Sequence, residues 1–199
     1  MRMFRTCGIV FLSLLLLGGC APKVTRIEAG EVRDLSGRWN DSDSQMVAEA
    51  MIQDCLNRPW LSEFSAKSGK KPDIIVGQIR NRSSEHISAE TFTKDLERAL
   101  LNSGRASFVA SAEERQGVRE ERLDMDVNAA PETRQTMGME AGANFMLIGT
   151  LNSITDREGK DAVVFYQVNL ELVDLSNNRK VWIGDKKIKK FVERARYRP

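Results

Sequence analysis

The chain has 199 residues, of which 41% are hydrophobic and 29% are charged, as is typical of one globular domain with short appendages. It contains 30 Lys and Arg residues against 28 Asp and Glu, and two of the cations, Arg2 and Arg5, lie in the first 19 residues. Without that segment, 28 cations face 28 acids. Phosphate binding needs an excess of clustered cations, so we expect no nucleic-acid partner.

The first 19 residues have the pattern of a cleavable signal peptide. A positively charged start is followed by a short apolar run at 9–17, which is too short to span a membrane as a permanent helix. Leu17-Gly18-Gly19-Cys20 then resembles a bacterial lipobox. This motif predicts that Cys20 carries a covalent lipid such as palmitate and becomes the first mature residue. The alternative is an ordinary signal peptide followed by an incidental cysteine.

The residue after the lipidated cysteine bears on which membrane holds the protein. Ala21 stands where an aspartate would direct retention in many diderm bacteria. We therefore predict an outer-membrane lipoprotein whose domain faces the periplasm, with inner-membrane residence as the alternative.

The three cysteines allow no intramolecular disulfide in the mature chain. Cys7 lies in the signal peptide and Cys20 is taken by the lipid, so only Cys55 remains. Cys55 follows Met51 at four-residue spacing on a predicted helix, which indicates a small buried hydrophobe. A reactive thiol is the less favoured interpretation.

Composition divides the mature chain into three parts. Residues 20–41 are polar and irregular and form a lipidated tether, which spans at most roughly 70 Å when fully extended. Residues 42–192 form the globular domain. Residues 193–199 are a basic tail, with Arg194, Arg196 and Arg198.

The first half of the domain alternates helices and strands. Ser42-Asp43-Ser44-Gln45 fits a capping box for a helix that Pro59 stops, and residues 73–79 read as a buried strand. Ser88 caps a helix from 89 to 103 that ends at Gly104, and a short strand follows at 107–110. We expect parallel strands with right-handed crossovers here.

The second half adds further helices and three antiparallel strands. Ser111 and Glu114 form a capping box for a charged surface helix to about Arg122, and Pro131 is placed to start a helix ending near Gly142. Strands follow at 145–151, 162–174 and 180–191, joined by turns at 156–160 and 176–178. The predicted fold is therefore a single α/β domain with a mixed four- to five-stranded sheet, built from parallel βαβ units and an antiparallel C-terminal meander. Along the long strand, one face carries the apolar side chains Val164, Tyr166, Val168, Leu170 and Leu172.

The sequence offers little for catalysis. His86 is the sole histidine and lies in a polar loop, and no cysteine or histidine cluster has zinc spacing. The carboxylates from Glu113 to Glu121 alternate with arginines, as on a solvated, ion-paired helix face. We expect a protein that is not an enzyme and has no metal, no cofactor beyond the lipid on Cys20, and no small-molecule substrate.

One local charge excess remains, the lysines at 186–190. They favour contact with anionic headgroups or an acidic partner. The alternative, which we favour, is that these lysines protect an edge strand from aggregation.

Several segments together resemble the penicillin-binding-protein activator lipoproteins of the LpoB type, over roughly residues 32–192. The segments that carry the resemblance are Asp34-Leu35-Ser36-Gly37-Arg38-Trp39-Asn40-Asp41, Gly77-Gln78-Ile79-Arg80-Asn81-Arg82-Ser83-Ser84, Gly142-Ala143-Asn144-Phe145-Met146-Leu147-Ile148-Gly149 and Lys180-Val181-Trp182-Ile183-Gly184.

This resemblance implies a fold similar to the N-terminal domain of TolB and a partner, a class A penicillin-binding protein. The activator would dock on this peptidoglycan synthase and stimulate it without chemistry of its own. Known members carry longer, Pro-rich tethers, and the shorter one here favours an alternative, an assembly lipoprotein that forms an oligomer at the outer membrane, as curli-secretion lipoproteins do.

The loop after the first strand is the predicted partner-binding site, because open α/β sheets bind at the carboxyl ends of their strands. Its residues are Asn81, Arg82, Ser83, Ser84 and Glu85. The alternative is a turn whose polar groups cap the next helix. We expect Trp39 to be a packing anchor that pins the tether to the domain.

Overall fold

A computed structural model describes residues 24–28, 30–134 and 138–193. The chain up to Val32 forms a unit of its own, and its described residues are exposed and contain no helix or strand. The signal peptide, the lipobox and the basic residues at 194–199 lie outside the described residues.

The second unit, from Arg33 onward, contains the sheet and its helices. In chain order the elements are α1 (Asp41–Leu56), α2 (Pro59–Ser68), β1 (Asp73–Asn81), α3 (Ala89–Asn102), β2 (Ser107–Phe108), α4 (Ala112–Asn128), β3 (Phe145–Glu158), β4 (Asp161–Asp174) and β5 (Lys180–Val192).

The strands form one five-stranded sheet in the order β2-β1-β3-β4-β5. β1 is parallel to β2 and β3, whereas β3, β4 and β5 pair antiparallel. The predicted fold class, parallel βαβ units followed by an antiparallel meander, is confirmed.

The core lies between one face of this sheet and the helices α1 and α3. The five alternating apolar side chains predicted for the long strand β4 are all buried, as are Phe92 and Leu96 of α3, which are 0% exposed. Gln167, Asn169 and Glu171 alternate with them on the other face and are partly exposed. The two-residue period of β4 thus sets which face receives the helices.

The start of α1 differs from the prediction. Asn40, not Ser42, is the cap: its Oδ1 accepts from the Asp43 amide at 2.9 Å, and its amide donates to Asp43 Oδ2 at 3.0 Å. Asn40 is as good a cap as serine, and Ser44 is instead buried, where its hydroxyl donates to Asp95. The prediction of a cap at Ser42 was wrong by two residues.

Pro59 begins a helix that the sequence reading missed. α1 ends at Leu56, and Pro59 is the first residue of α2, a position where proline's missing N–H costs nothing. The Trp60 ring packs edge-on to Phe145 with 5.0 Å between ring centroids. α2 therefore joins α1 to β1 and closes the end of the core at Phe145.

The helix predicted from Pro131 is wrong. Residues 131–134 form a turn, and the described residues 138–144 are not helical. Met139 is fully exposed, and the described residues 131–134 and 138–142 are all exposed, so they bury no apolar side chain that would stabilise a helix. The preceding helix α4 instead continues to Asn128, beyond the expected end at Arg122.

The hairpin between β3 and β4 is tighter than expected. β3 runs to Glu158 and β4 starts at Asp161, so only Gly159 and Lys160 lie in the turn. Gly159 has a φ of +58°, which glycine adopts without strain. β3 and β4 therefore extend well past the end of β1.

Candidate docking site at the carboxyl end of β1

The predicted partner loop leaves the sheet at the end of β1 and is organised by Asn81. The Asn81 Oδ1 accepts from the Ser83 amide at 2.9 Å and from the Ser83 hydroxyl at 2.6 Å. Its Nδ2 donates to the carbonyls of Glu85 and Ile87 at 2.8 and 3.2 Å. Asn81 and Ser83 thus hold the turn together, an internal role that asparagine side chains commonly take.

Glu85 ties this loop to two other parts of the chain. Its Oε1 accepts from the hydroxyl of Tyr166 on β4 at 2.7 Å, and its Oε2 accepts from the amide of Trp39 at 3.3 Å. Tyr166 is 0% exposed, and its burial, together with its hydrogen bond to Glu85, raises the pKa of its phenol above the ordinary value. The phenol therefore stays protonated and remains a donor.

Residues 34–40, here called the strap, lie against the sheet ahead of α1. The Trp39 ring packs edge-on to Phe92 and Tyr166, at 6.0 and 5.5 Å between centroids. Gly37 has a φ of +66°, and a Cβ there would lie 2.2 Å from Cγ2 of Val192. The expectation that Trp39 is a packing anchor is confirmed, and Gly37 is required by both its conformation and its close approach to β5.

Lys190 of β5 fastens the strap to α1. Its Nζ donates to Asp34 Oδ1 and Asp43 Oδ2, both at 2.6 Å, and to the Arg38 carbonyl at 3.3 Å. The side chains of Lys190 and Asp43 are only 11% and 8% exposed. Burial acts to lower the pKa of Lys190, but the hydrogen bonds to the two carboxylates outweigh it and raise that pKa. The same contact lowers the pKa of Asp34.

Arg82 and Ser84, the other two predicted site residues, are exposed. Their backbones are nevertheless fixed to β3, because the Arg82 amide donates to the Leu151 carbonyl at 2.7 Å and the Ser84 amide to the Ser153 hydroxyl at 3.3 Å. Within the described part of the chain, no carboxylate pairs with the guanidinium of Arg82 or Arg38. The structure thus brings the five loop residues together, three turned inward and two outward.

Sequence reasoning assigned the strap to the tether and missed its role beside the loop. Two signals could have revealed it: an aromatic residue, Trp39, in an otherwise polar stretch, and the three-residue spacing of Asn40 and Asp43. Two contacts of the strap, Gly37 with Tyr166 of β4 and Asp34 with Lys190 of β5, join residues that are more than a hundred positions apart.

The other predicted chemical groups lie apart from this site. Cys55 is buried, as expected, and its burial raises the pKa of the thiol to about 12, whereas His86 is exposed. In the described ranges, no group of three or more His, Cys, Asp or Glu residues could hold a metal ion. The helix α4 lies on the surface as predicted, with no buried residue, but its ion pairs in the described residues reach outside the helix. Arg119 binds Glu140 through two hydrogen bonds of 2.7 and 2.8 Å, and Glu114 pairs with Lys94 of α3.

The lysines at 186–190 lie on β5, which is an edge strand, as the aggregation-protection interpretation expected. Lys190 is the exception in this set, because it is turned inward between Asp34 and Asp43. Of the helices in the described residues, none is both long enough and apolar enough to cross a membrane.

The fold and this site define a mixed α/β domain in which polar side chains hold an N-terminal strap and a loop in place at the carboxyl end of the parallel strands. The chain belongs to the peptidoglycan-synthase activator LpoB family, whose model matches residues 43–188.

Solved structures with a similar arrangement have low sequence identity to this chain. The LpoB C-terminal domain from Escherichia coli is 14% identical with a TM-score of 0.46, and the match covers 74% of this chain and 99% of that domain. Lipoprotein GNA1162 from Neisseria meningitidis is 17% identical with a TM-score of 0.41, covering 63% and 88%. The PelC dodecamer from Paraburkholderia phytofirmans is 16% identical with a TM-score of 0.39, covering 61% and 73%. No curated protein sequence matches the chain significantly.

Proposed function

We propose that this protein is an outer-membrane lipoprotein that binds and activates a class A penicillin-binding protein. The observation that carries the proposal is the match of residues 43–188, most of the domain, to the peptidoglycan-synthase activator family. Such an activator would act by binding the active conformation of the synthase more tightly than the inactive one. It would need no catalytic group of its own.

The chemistry of the site supports docking rather than catalysis. Its acids already have partners: Glu85 accepts from Tyr166 and Trp39, and Asp43 accepts from Lys190 and Asn40. These acids serve to fix the shape of a surface. The exposed groups, Arg82 and Ser84, suit recognition of a partner, and we propose the loop from Asn81 to Glu85 as part of the binding surface.

The anchor is proposed from the sequence. Leu17, Gly18 and Gly19 precede Cys20 as a lipobox, and Cys20 would carry the lipid that holds the domain at the periplasmic face of the outer membrane. Contacts with the domain begin no later than Asp34, so at most the 13 residues 21–33 separate the lipid from the domain. A chain of that length spans at most roughly 45 Å, so the synthase would have to project outward to be reached.

The test is a rate measurement with the purified lipoprotein in detergent. Each class A synthase of the same organism is assayed for glycan polymerisation and crosslinking with and without the protein, and binding is measured in parallel. We expect one synthase to bind it and to polymerise faster. No binding and no change in rate for any of these synthases would refute the proposal.

The short tether favours one alternative, an assembly lipoprotein that forms a closed oligomer at the membrane. Light scattering of the lipidated protein in detergent, and of the chain from residue 21 without detergent, separates the two. A monomer under both conditions supports the activator, whereas a defined oligomer supports the assembly role.

The anchor has its own test. Cys20→Ser should abolish incorporation of labelled palmitate and release the protein from membranes, and Cys55→Ser is the matched control that should change neither. Fractionation of the lipidated protein then separates outer-membrane from inner-membrane residence.

A further inference from the structure

We infer that the domain docks on the lipid surface of the membrane through the outer face of the sheet at the β3–β4 hairpin. The outer face is the one turned away from α1 and α3. Its apolar side chains at the hairpin, here called the hairpin patch, are Ile154, Val163, Phe165 and Phe191. The inference goes beyond the proposed function and rests on it only for the lipid at Cys20. Such a contact would give the domain a defined orientation, which a flexible tether does not.

Strand pairing brings the hairpin patch together. Ile154 is the partner of Phe165, and Val163 is the partner of Phe191. Since directly paired residues share a face and residues two apart on one strand do so too, all four lie side by side. Ile154 and Phe191 are 67% and 66% exposed, so neither is covered by a helix. The hairpin patch is an uncovered apolar surface at the end of the sheet.

Protection of an edge strand does not account for Phe191. Lysines on β5 would keep the edge from pairing with another chain, but an exposed phenylalanine among them favours association. Contiguous exposed apolar residues mark sites of interaction with proteins or membranes. A ring between lysines suits the boundary of a bilayer, where the ring enters the acyl region and the ammonium groups reach the headgroups.

The charges near the hairpin patch favour anionic headgroups. Residues 186–198 contain seven cations and one acid, Glu193. Lys190 is neutralised by the strap and α1, and Lys187 by Asp185, which leaves five cations. Three of the five are the arginines of the tail, which covalent connection keeps within roughly 25 Å of Phe191. The hairpin itself has one acid in excess, with Asp156, Glu158 and Asp161 against Arg157 and Lys160. Cations therefore remain in excess.

The chain from the proposed anchor enters the domain at the same end of the sheet. Asp34 is bonded to Lys190, and Gly37 lies against Val192, so both contacts of the strap are with neighbours of Phe191 in β5. The 13 residues 21–33 that precede Asp34 average roughly 20 Å end to end as a flexible chain. A lipid surface is thus always close to this end of the domain. Because the tether raises its effective concentration, a weak apolar contact is enough for docking.

The contact is tested by fluorescence quenching on vesicles. The chain from Cys20 onward is coupled through the Cys20 thiol to a maleimide lipid, so that the test depends neither on lipidation nor on a synthase. The vesicles contain phosphatidylethanolamine and phosphatidylglycerol with brominated acyl chains. Phe191→Trp places a tryptophan in the hairpin patch and should lose about half of its added emission. Leu101→Trp, at a 60% exposed position of α3 on the other side of the sheet, is the matched control and should lose none.

A second substitution tests whether the hairpin patch acts as one surface. Ile154→Ser, added to Phe191→Trp, should reduce the quenching about twofold or more, because it removes an adjacent apolar contact. Its exposure keeps the risk to folding low, and circular dichroism checks the fold. Leu101→Ser, added to Phe191→Trp, is the control and should leave the quenching unchanged. Vesicles without phosphatidylglycerol should quench less.

Four results would contradict the inference. Equal emission of Phe191→Trp with brominated and ordinary lipid overturns the contact, and equal quenching of Leu101→Trp overturns the orientation. Quenching that does not depend on phosphatidylglycerol removes the cations from the contact. Absent quenching, combined with weaker synthase binding by Ile154→Ser, assigns the hairpin patch to a protein partner. Failure to activate any synthase refutes the proposed function and leaves the quenching result intact, since the vesicles contain no synthase.

Discussion

The Tyr166 hydroxyl donates to the Glu85 carboxylate across 81 residues of sequence, at 2.7 Å. This bond joins the most buried aromatic of β4 to the loop after β1. It also fixes the carboxylate that receives the Trp39 amide. The packing of the core and the shape of the candidate docking site are therefore connected at one side chain.

Tyr166→Phe should lower the free energy of unfolding by about 2 kcal/mol, because it leaves a partly buried carboxylate without its main donor. Glu85→Gln keeps an acceptor for the phenol and should cost less. Urea unfolding of both variants checks the order. An equal loss in the two would show that the charge of Glu85 contributes as much to stability as the hydrogen bond does.

Gly37→Ala should destabilise the domain by about 2 kcal/mol, since it combines a left-handed backbone with a Cβ 2.2 Å from Val192 Cγ2. Adding Val192→Ala removes the clash but not the backbone strain and should recover only part of the loss. Gly30→Ala is the matched control, because a Cβ at Gly30 meets no atom within 4 Å. Thermal unfolding measures all three, and full recovery in the double variant would argue against backbone strain.

The Lys190 cluster gives stability a defined pH window. The pKa of Asp34 lies below its ordinary 3.8 in the folded state, so its contribution is present above that pH and is lost as pH falls through the lower folded value. The pKa of Lys190 lies above its ordinary 10.5, so its contribution is present below that pH and is lost as pH rises through the higher folded value.

Lys190→Met leaves Asp43 buried without a cation and should cost about 3 kcal/mol near neutral pH. The stability difference from the unaltered protein should be flat between about pH 4 and pH 10 and should shrink beyond both ends. Urea unfolding at a series of pH values measures it. Lys187→Met, on the exposed side of the same strand, is the control and should show little effect at any pH.

Cys55 should be unreactive in the folded protein. Its side chain is 1% exposed, and burial raises the pKa of its thiol to about 12, so almost no thiolate forms near neutral pH. In the chain from residue 21, where Cys55 is the remaining cysteine, labelling with a thiol reagent should be at least a hundredfold slower than in urea. Rapid labelling without denaturant would contradict the burial of α1 against the sheet.

Local signals were enough for some elements of the fold. The alternation of β4 places Tyr166 and Leu170 on the buried face, and Ser88 and Gly104 bound α3, because each signal acts within a few residues. Proline is an ambiguous signal for a helix boundary, since Pro59 can end one helix or begin the next. The prediction used only the first of these roles, and α2 was therefore not predicted.

Trp39 indicated that this stretch packs on the domain, but the partners of Asp34 and Gly37 could not be identified from sequence because they are distant. Asp34 and Gly37 contact Lys190, Val192 and Tyr166, which are more than a hundred residues away, and no local pattern encodes such a meeting. For the loop of the candidate docking site, the strand–loop–helix order placed all five residues correctly at the end of β1. This order could not predict which of the five side chains are exposed, as Arg82 is, and which are bonded to the core, as Glu85 is to Tyr166.

Asp34 and Lys190 lie 156 residues apart, near the two ends of the domain, and are bonded to each other. A force on the chain ahead of Asp34, such as a pull on the lipid proposed for Cys20, would therefore act on the last strand as well as on the first helix. The bond to Lys190 and the aromatic packing of Trp39 must break before α1 can unwind from its start. Lys190 thus divides a force applied ahead of the domain between its first helix and its last strand.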